Sequence, residues 1–362
     1  MNYRFSNIIA RLIISVIILF LSFSCWRTPA GYKNRKTKIS EKTKSEVRFM
    51  FYNVENLFDT FNDSLKNDEE FLPYGEKHWN NEKFEKKING IYKIIMNVGV
   101  WEPPALIGFC EIENRYVLEE LINKTPLSKF DYRIIHQESP DIRGIDVALL
   151  YRKEIFVPDF FKAVKINFNE GRKKTRDILY VRGKLLDSGI VHIFINHWPS
   201  RYGGQISSEP DRIFLATKLR SLTDSLFEIY EDPNIIITGD FNDGPESESL
   251  ITTLDAKIDF SNILKKNLYN LSSGINKRNT TGTYKYQGRW ETFDQFILSG
   301  NMFDVNNNIS STLNGYNIFA EDYLFEEDKS YLGRRPFRTY LGPVYHGGFS
   351  DHLPVFLDLS IE

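Results

Sequence analysis

Cysteine and histidine are scarce in this 362-residue sequence, which has two of the former and six of the latter. Two cysteines cannot build a disulfide framework, and no C-x-x-C pair exists for a zinc ribbon or a thioredoxin-like site. H-E-x-x-H is absent and the histidines are scattered, which makes zinc a poor candidate. There is no G-x-x-x-x-G-K-[ST], so nucleotide chemistry of the P-loop kind is excluded, and no G-x-S-x-G to support an esterase elbow. No repeat of 20–50 residues recurs, which excludes solenoids and propellers. Positive charge is not in excess either: the formal net charge is −2, so the chain is not a globally basic nucleic-acid coat. What is present is 41% hydrophobic, 14% aromatic and 26% charged residues, the composition of a folded globular protein.

The near-neutral total conceals three regions. Residues 1–24 carry Arg4 and Arg11 and no acid, hence +2; residues 26–45 carry seven bases and Glu41, hence +6; the remainder is therefore −10. An acidic body does not attract polyanions by its long-range field, so a phosphate-bearing substrate would need a bound metal or a focused arginine cluster.

The start of the chain reads as a targeting segment. Arg4 and Arg11 precede an apolar run over 12–23, broken only by Ser15 and Ser22, and Ser24 and Cys25 follow. A basic start, a short apolar core and a small residue before the cut form a signal peptide. The ending Leu21-Ser22-Phe23-Ser24-Cys25 resembles a loose bacterial lipobox, with Phe23 where a small residue is usual. Residues 1–25 are thus expected to be a signal peptide with Cys25 lipidated, the alternatives being an ordinary cleaved signal or an uncleaved anchor. Residues 26–45 then form a flexible basic tether against anionic head groups, and residues 46–362 form one domain. The expected location is extracytoplasmic, a membrane-anchored lipoprotein in the periplasm or at the cell surface, or otherwise secreted. Cys110 would be a lone buried thiol.

Strands are expected at 47–52, 105–110, 132–136, 145–151, 177–186, 190–196, 234–238, 291–298 and 355–359, and helices at 80–98, 115–123 and 210–229. Interspersed strands and helices without a Gly/Ser/Pro linker favour a single α/β sandwich domain. Five strands end in or are entered through polar clusters: Asn53-Val54-Glu55-Asn56, Glu111-Ile112-Glu113-Asn114, Arg143-Gly144-Ile145-Asp146, His197-Trp198-Pro199-Ser200-Arg201 and Asp240-Phe241-Asn242-Asp243. Gly348-Phe349-Ser350-Asp351-His352 runs into the last strand. Turns use the same residue types, but layered α/β folds bind ligands beyond strand ends. Carboxylates and amides with few histidines suit a hard cation such as Mg²⁺ or Mn²⁺. A hard cation with imidazole and arginine suits attack of water on a phosphate ester.

Asn53, Glu111, Asn196-His197-Trp198-Pro199-Ser200-Arg201, Gly239-Asp240-Phe241-Asn242, Asp294 and Ser350-Asp351-His352-Leu353-Pro354 appear in this order. The series resembles the endonuclease/exonuclease/phosphatase superfamily over residues 47–360. The resemblance implies a four-layer α/β sandwich, two central mostly antiparallel sheets flanked by helices. It implies metal ligation by Glu111, Asn53 and Asp351, with Mg²⁺ or Mn²⁺ as cofactor. His352, oriented by Asp294, would act on the scissile phosphate, Asp240 would orient or activate water, and Asn242 would hold the phosphate or metal. His197 would be a second catalytic imidazole and Arg201 a phosphate clamp; Arg143 and Asp146 match a substrate-facing strand. Glu55 stands near a secondary metal position and could equally be a solvated acid. Gln295 stands where the family usually has an aromatic or histidine. Arg334, Arg335 and Arg338, interleaved with aromatics, would bind further phosphates or bases, unless they pair with the acids of 321–328. The expected function is a monomeric, metal-dependent phosphoester hydrolase, a nuclease acting on nucleic acid. The alternatives are a phosphatase or lipid phosphodiesterase acting on inositol phosphate or sphingomyelin-like head groups, and a non-catalytic binding lipoprotein.

Overall fold

Alternation along the strands sets the layering of the body, for which a computed structural model describes residues 45–168, 174–277 and 281–362. The expected signal segment and the tether up to residue 44 lie outside the described residues. In β1 (Ser45–Leu57), Phe49 and Phe51 face one way and Met50 and Tyr52 the other, and all four are buried. A strand buried on both faces must sit in a layer covered on both sides. Phe49 and Phe51 pack with Ile193, Ile195, Ile236 and Phe296 of a second sheet. Met50 and Tyr52 pack with Ile88, Ile91 and Ile95 of α1 (Asn81–Gly99) and Leu118 and Leu121 of α2 (Arg115–Asn123).

The first sheet runs β14 (Ile309–Ser310), β20 (Val355–Ile361), β1, β2 (Leu106–Ile112), β4 (Asp146–Arg152), β3 (Tyr132–His136), with β15 (Tyr316–Ile318) also on β20. The second runs β5 (Phe156–Val164), β6 (Ile178–Leu185), β7 (Gly189–His197), β8 (Asn234–Asp240), β13 (Asp294–Ser299), β10 (Leu268–Asn270), β9 (Ala256–Lys257). The outer face of the second sheet packs on α3 (Gln205–Ile229) through Phe194, Ile235 and Ile237 against Leu215 and Leu219. The result is the four-layer α/β sandwich, with most strand pairs antiparallel. Among the described residues three hairpins lie outside the two large sheets: β11/β12 (Tyr284–Tyr286, Arg289–Glu291), β16/β17 (Phe325–Glu327, Arg334–Pro336) and β18/β19 (Tyr340–Leu341, Val344–Tyr345).

Two parallel pairs position the site. β1 returns to β2 through α1, and β7 to β8 through α3, as parallel strands require a crossover. The C-terminal ends of β1 and β2 therefore lie side by side, as do those of β7 and β8. A side chain caps the start of α1 and of α2: Asn80 accepts from Lys83 N–H (3.0 Å) and Asn114 from Val117 N–H (3.2 Å).

Several elements depart from the sequence expectation. β1 continues through its polar cluster to Leu57, with a register shift between Asn53 and Leu57 and Glu55 and Asn56 in the left-handed region. The strand expected at 291–298 divides at residues 292–293, and α3 starts five residues before Pro210, which remains inside the helix. β5 carries Pro158 at a bulge and is largely exposed, the signature of a sheet edge, so it has no two-residue alternation to read.

Far from the strand ends, His192 of β7 is buried, and its Nδ1 lies 2.8 Å from Tyr180 Oη. Burial, then the charge of Arg182, lowers its pKa to about 4, against a smaller opposing pull from Asp159. The folded state thus favours the neutral ring, so this contribution is full above about pH 6.5 and is lost as pH falls toward 4. The stability advantage of the wild type over His192→Gln should shrink by about 3 kcal/mol between pH 7 and pH 4 in urea unfolding; an advantage that does not change with pH would contradict this.

Candidate active site

Strand register brings the polar clusters to one edge of the sandwich. Asn53 pairs with Cys110 across β1–β2, which sets Glu111 beside it. His197 pairs with Asp240 across β7–β8, and Asp240 with Asp294 across β8–β13. The loop before β20 lies on β1, where Ser350 Oγ donates to Asn53 O (2.7 Å) and accepts from His352 N–H (3.0 Å). The two sheets therefore contribute to one cleft.

Asp240 Oδ2 is its hub. Asn53 Nδ2 donates to it at 3.0 Å, and the Nε2 atoms of His197 and His352 each lie 3.7 Å away. Asn53 Nδ2 also reaches Glu111 Oε1 (3.4 Å), which is 3.8 Å from His197 Nε2. Glu111 Oε2 accepts from Asn56 N–H (2.8 Å), and Asp240 Oδ1 from Asn242 N–H (2.9 Å). Glu111, Glu55, Asn56 and Asn242 all have positive φ, between 51° and 62°. Non-glycine residues in that region cost of order 1 kcal/mol each and cluster at functional sites.

His352 is clamped from behind. Its Nδ1 lies 2.7 Å from Asp294 Oδ2, and its ring lies over Tyr284 at 4.8 Å between centroids. Asp294 is held in turn by its backbone N–H on Thr283 Oγ1 (3.1 Å). Burial would lower the imidazole pKa, but the carboxylates of Asp294 and then Asp240 outweigh it and hold His352 well above the ordinary value. His197 goes the other way: burial, then the charges of Arg176, Arg143 and His352, hold it neutral. Burial and the Asp294 charge push Asp240 up to about 7, against the pull of His352. The same cleft thus keeps one imidazole charged and the other neutral.

The donor chemistry fits a hard divalent cation. Glu111 and Asp240 bring carboxylate oxygens to the same Asn53 amide, and the Cys110–His197–Asp240 and Asp240–Asp294–His352 groups each have ligand atoms within 4.8 Å of one another. Among the described residues, His197 Nδ1 and Asp294 Oδ1 are buried without a hydrogen-bond partner.

The sequence profile of the Endonuclease/Exonuclease/phosphatase family matches residues 48–361. The chain belongs to this family. Its members are phosphoester hydrolases that depend on a divalent metal. A truncated Caenorhabditis elegans TDP2 is 13% identical, with 88% of this chain and 98% of that one covered and a TM-score of 0.53. An endonuclease/exonuclease/phosphatase protein from Bacteroides vulgatus is 15% identical, with 88% and 100% covered and a TM-score of 0.53. D. rerio TDP2 complexed with single strand DNA product is 13% identical, with 87% and 99% covered and a TM-score of 0.53. At these identities the likeness is one of fold. No curated protein matches the sequence.

The geometry gathers Asn53, Glu111, His197, Asp240, Asn242, Asp294 and His352 in one cleft, and gives other expected residues different work. Asp351, expected beside the metal, is ion-paired with Arg338 Nη2 at 2.5 Å. Asp146 is fully buried, with one carboxylate oxygen 3.1 Å from His136 Nε2 and the other accepting from Ser139 N–H (2.8 Å), so it braces its own loop. Arg201, expected as a phosphate clamp, donates to Asn242 O (2.8 Å) and Asp243 Oδ1 (3.3 Å) and lies over the Phe293 ring. It holds the Asp240 loop in place. Arg334 pairs with Asp322 (2.7 Å) and Arg335 with Glu326 (2.8 Å), which are the acidic partners weighed as the alternative. Arg143 is half-exposed, 3.5 Å from Asp141, with its charge still felt by His197.

Residues missed by sequence reasoning complete the cleft. Arg176 donates to Trp198 O (2.7 Å) and Asp141 Oδ2 (3.1 Å), fully buried behind His197. Lys87 of α1 is buried and donates to Glu55 O (3.2 Å) and Phe349 O (2.6 Å). Its signal was legible: Lys87 lies on the apolar stripe with Phe84, Ile91 and Ile94. Gln295 donates to Asp243 O (2.6 Å) and accepts from Asn270 Nδ2 (2.7 Å), which fixes the loop after Asp240.

Gly239 makes the β7–β8 contact possible. A Cβ there would lie 2.3 Å from Asn196 O. Gly239→Ala should therefore cost about 1–3 kcal/mol in chemical unfolding, as overpacked sites do; a loss below about 0.5 kcal/mol would show that the strands separate freely.

Proposed function

We propose that the chain is a divalent-metal-dependent nuclease that hydrolyses phosphodiester bonds outside the cytoplasm, carried on a lipid anchor at Cys25. The observation that carries the catalytic reading is Asp240 Oδ2, placed 3.7 Å from both His197 Nε2 and His352 Nε2 and 3.0 Å from Asn53 Nδ2. Glu111 and Asn53 would hold Mg²⁺ or Mn²⁺. Such an ion supplies charge neutralisation at the phosphate oxygens and at the departing oxygen.

The chain's own residues supply the rest. Asp240, with its pKa near 7, is matched to accepting a proton from water at neutral pH. His352, held charged by Asp294, donates a hydrogen bond to a phosphate oxygen as negative charge builds there. Asp294 keeps the ring oriented through Nδ1, as a buried carboxylate behind an imidazole does. His197 presents a neutral ring to the same phosphate. Asn242, fixed by Trp198 O (3.0 Å) and the Arg201 contact, lines the phosphate side.

Two features support nucleic acid over other phosphoesters. Tyr202 is 91% exposed and next in sequence to Arg201 at the rim, a free ring on which a base can stack. A D. rerio relative in fold is complexed with single strand DNA product. The apolar run over 12–23 just before Cys25 and the basic residues 26–45 support membrane anchoring.

The test is turnover of single- and double-stranded DNA, RNA, an inositol phosphate and a sphingomyelin analogue with Mg²⁺ or Mn²⁺. Nucleic acid should be cleaved, and chelator should abolish cleavage. His352→Ala should lower kcat about 10²–10⁴-fold. Turnover of the monoester or lipid alone would replace the nuclease reading, and chelator-resistant activity would remove the metal. Anchoring is tested separately: Cys25→Ala should abolish incorporation of a labelled fatty acid, and unchanged labelling would contradict it.

A further inference from the structure

The cleft has a second group of carboxylates, which contains its own cations. Glu55, in the bulge of β1, and Asp351, before β20, lie on either side of Arg338, which sits between β17 and β18. Arg338 Nη2 donates to Asp351 Oδ2 at 2.5 Å, and its Nε lies 3.6 Å from Glu55 Oε1. Glu55 also accepts the backbone N–H of Thr339 (2.6 Å) and of Tyr340 (3.4 Å) from the same loop. Lys87 enters from below, with Nζ bonded to Glu55 O, Phe349 O and Thr339 Oγ1. Two acids thus meet two bases, with no net charge left for a divalent ion to neutralise.

The other half of the cleft is different. Asp240 and Asp294 flank the charged His352, Glu111 lies beside the neutral His197, and the buried Arg176 on this side is already taken by Asp141 and Trp198 O. The attraction for a divalent ion is concentrated there, because unbalanced charge in a low-dielectric cleft is what binds it. Arg338 is held by charge as much as by hydrogen bonds: among the described residues its buried Nε makes no hydrogen bond and faces Glu55 Oε1 at 3.6 Å.

We infer that Arg338 is the resident second cation of the site: its guanidinium occupies the ground between Glu55 and Asp351, so the chain binds one divalent ion where the carboxylates alone would accept two. The inference rests on the reading of Glu111 and Asn53 as the metal site. It makes Arg338 a phosphate contact fixed from the first ring of the site, with planar N–H groups suited to a phosphate edge. It also explains why Arg338 alone of the three loop arginines turns inward, while Arg334 and Arg335 pair with Asp322 and Glu326.

The test counts bound Mn²⁺ on the full chain by the loss of the free-ion electron paramagnetic resonance signal, with no substrate present. Wild type should bind one ion, Arg338→Met two, and Arg338→Lys one, with circular dichroism confirming that each variant is folded. Adding Glu55→Gln to Arg338→Met should return the count to one. Two ions on the wild type, or one on a folded Arg338→Met, would overturn the inference. If Arg338→Met does not fold, Arg338→Lys decides: one ion supports the inference and two overturns it. The underlying reading fails in a different way: a wild type that binds no ion, or a Glu111→Gln that binds as well as wild type, would remove the metal site itself.

Discussion

Two sheets packed face to face must bring their strand ends to a common edge, and the rest of this molecule follows from that constraint. Phe49, Phe51, Ile193, Ile195 and Phe296 fill the space between the sheets. Because β1–β2 and β7–β8 are both parallel pairs closed by a helix, each sheet sends two C-terminal strand ends to that edge. The residues just past the apolar stretches are therefore forced together: Asn53 and Glu111 from one sheet, His197 and Asp240 from the other. The hydrophobic core fixes the distances and the polar residues inherit them. Gly239, which lets Asn196 approach, and Ser350, which ties the last loop to Asn53, are the points where the core geometry is handed to the chemistry.

Charge is distributed unevenly within this edge. On one side Asp240 and Asp294 flank the charged imidazole of His352, with Glu111 beside the neutral His197; on the other, Glu55 and Asp351 are already balanced by Lys87 and Arg338. Burial magnifies the contrast, since each unpaired charge in a dry cleft costs several kcal/mol. The neutral His197 and charged His352 follow from the same arrangement: one has the buried Arg176 and the half-exposed Arg143 nearby, and the other has Asp294 at 2.7 Å. Two imidazoles of the same intrinsic basicity thereby acquire opposite states.

Much of this was legible from the residues. Apolar runs bounded by Pro103-Pro104 or by Asp, Asn and Gly located the central strands, because both their faces are buried and their sequences are continuous. The helical stripe of Phe84, Ile88, Ile91 and Ile95 located α1 to within one residue at either end. The cleft residues stood out as polar groups directly after such runs. What was not legible depends on long-range partners. Edge strand β5 shows no alternation because both faces are largely wet. Asp146 and Asp351 look alike in sequence, each at a strand entrance. Only His136 beside the first and Arg338 beside the second reveal that both are engaged by the protein. Arg176 sits before β6 with no motif around it, and its burial is set by Trp198 and Asp141, distant in sequence.

The central claim is that the Glu111–Asp240 half of the cleft is the seat of a single divalent ion. Diffraction from a Mn²⁺-soaked crystal at the manganese absorption edge tests it directly. One anomalous peak at Glu111, with none between Glu55 and Asp351, is the predicted result. A peak at Glu55 and Asp351, or none at Glu111, would contradict the account.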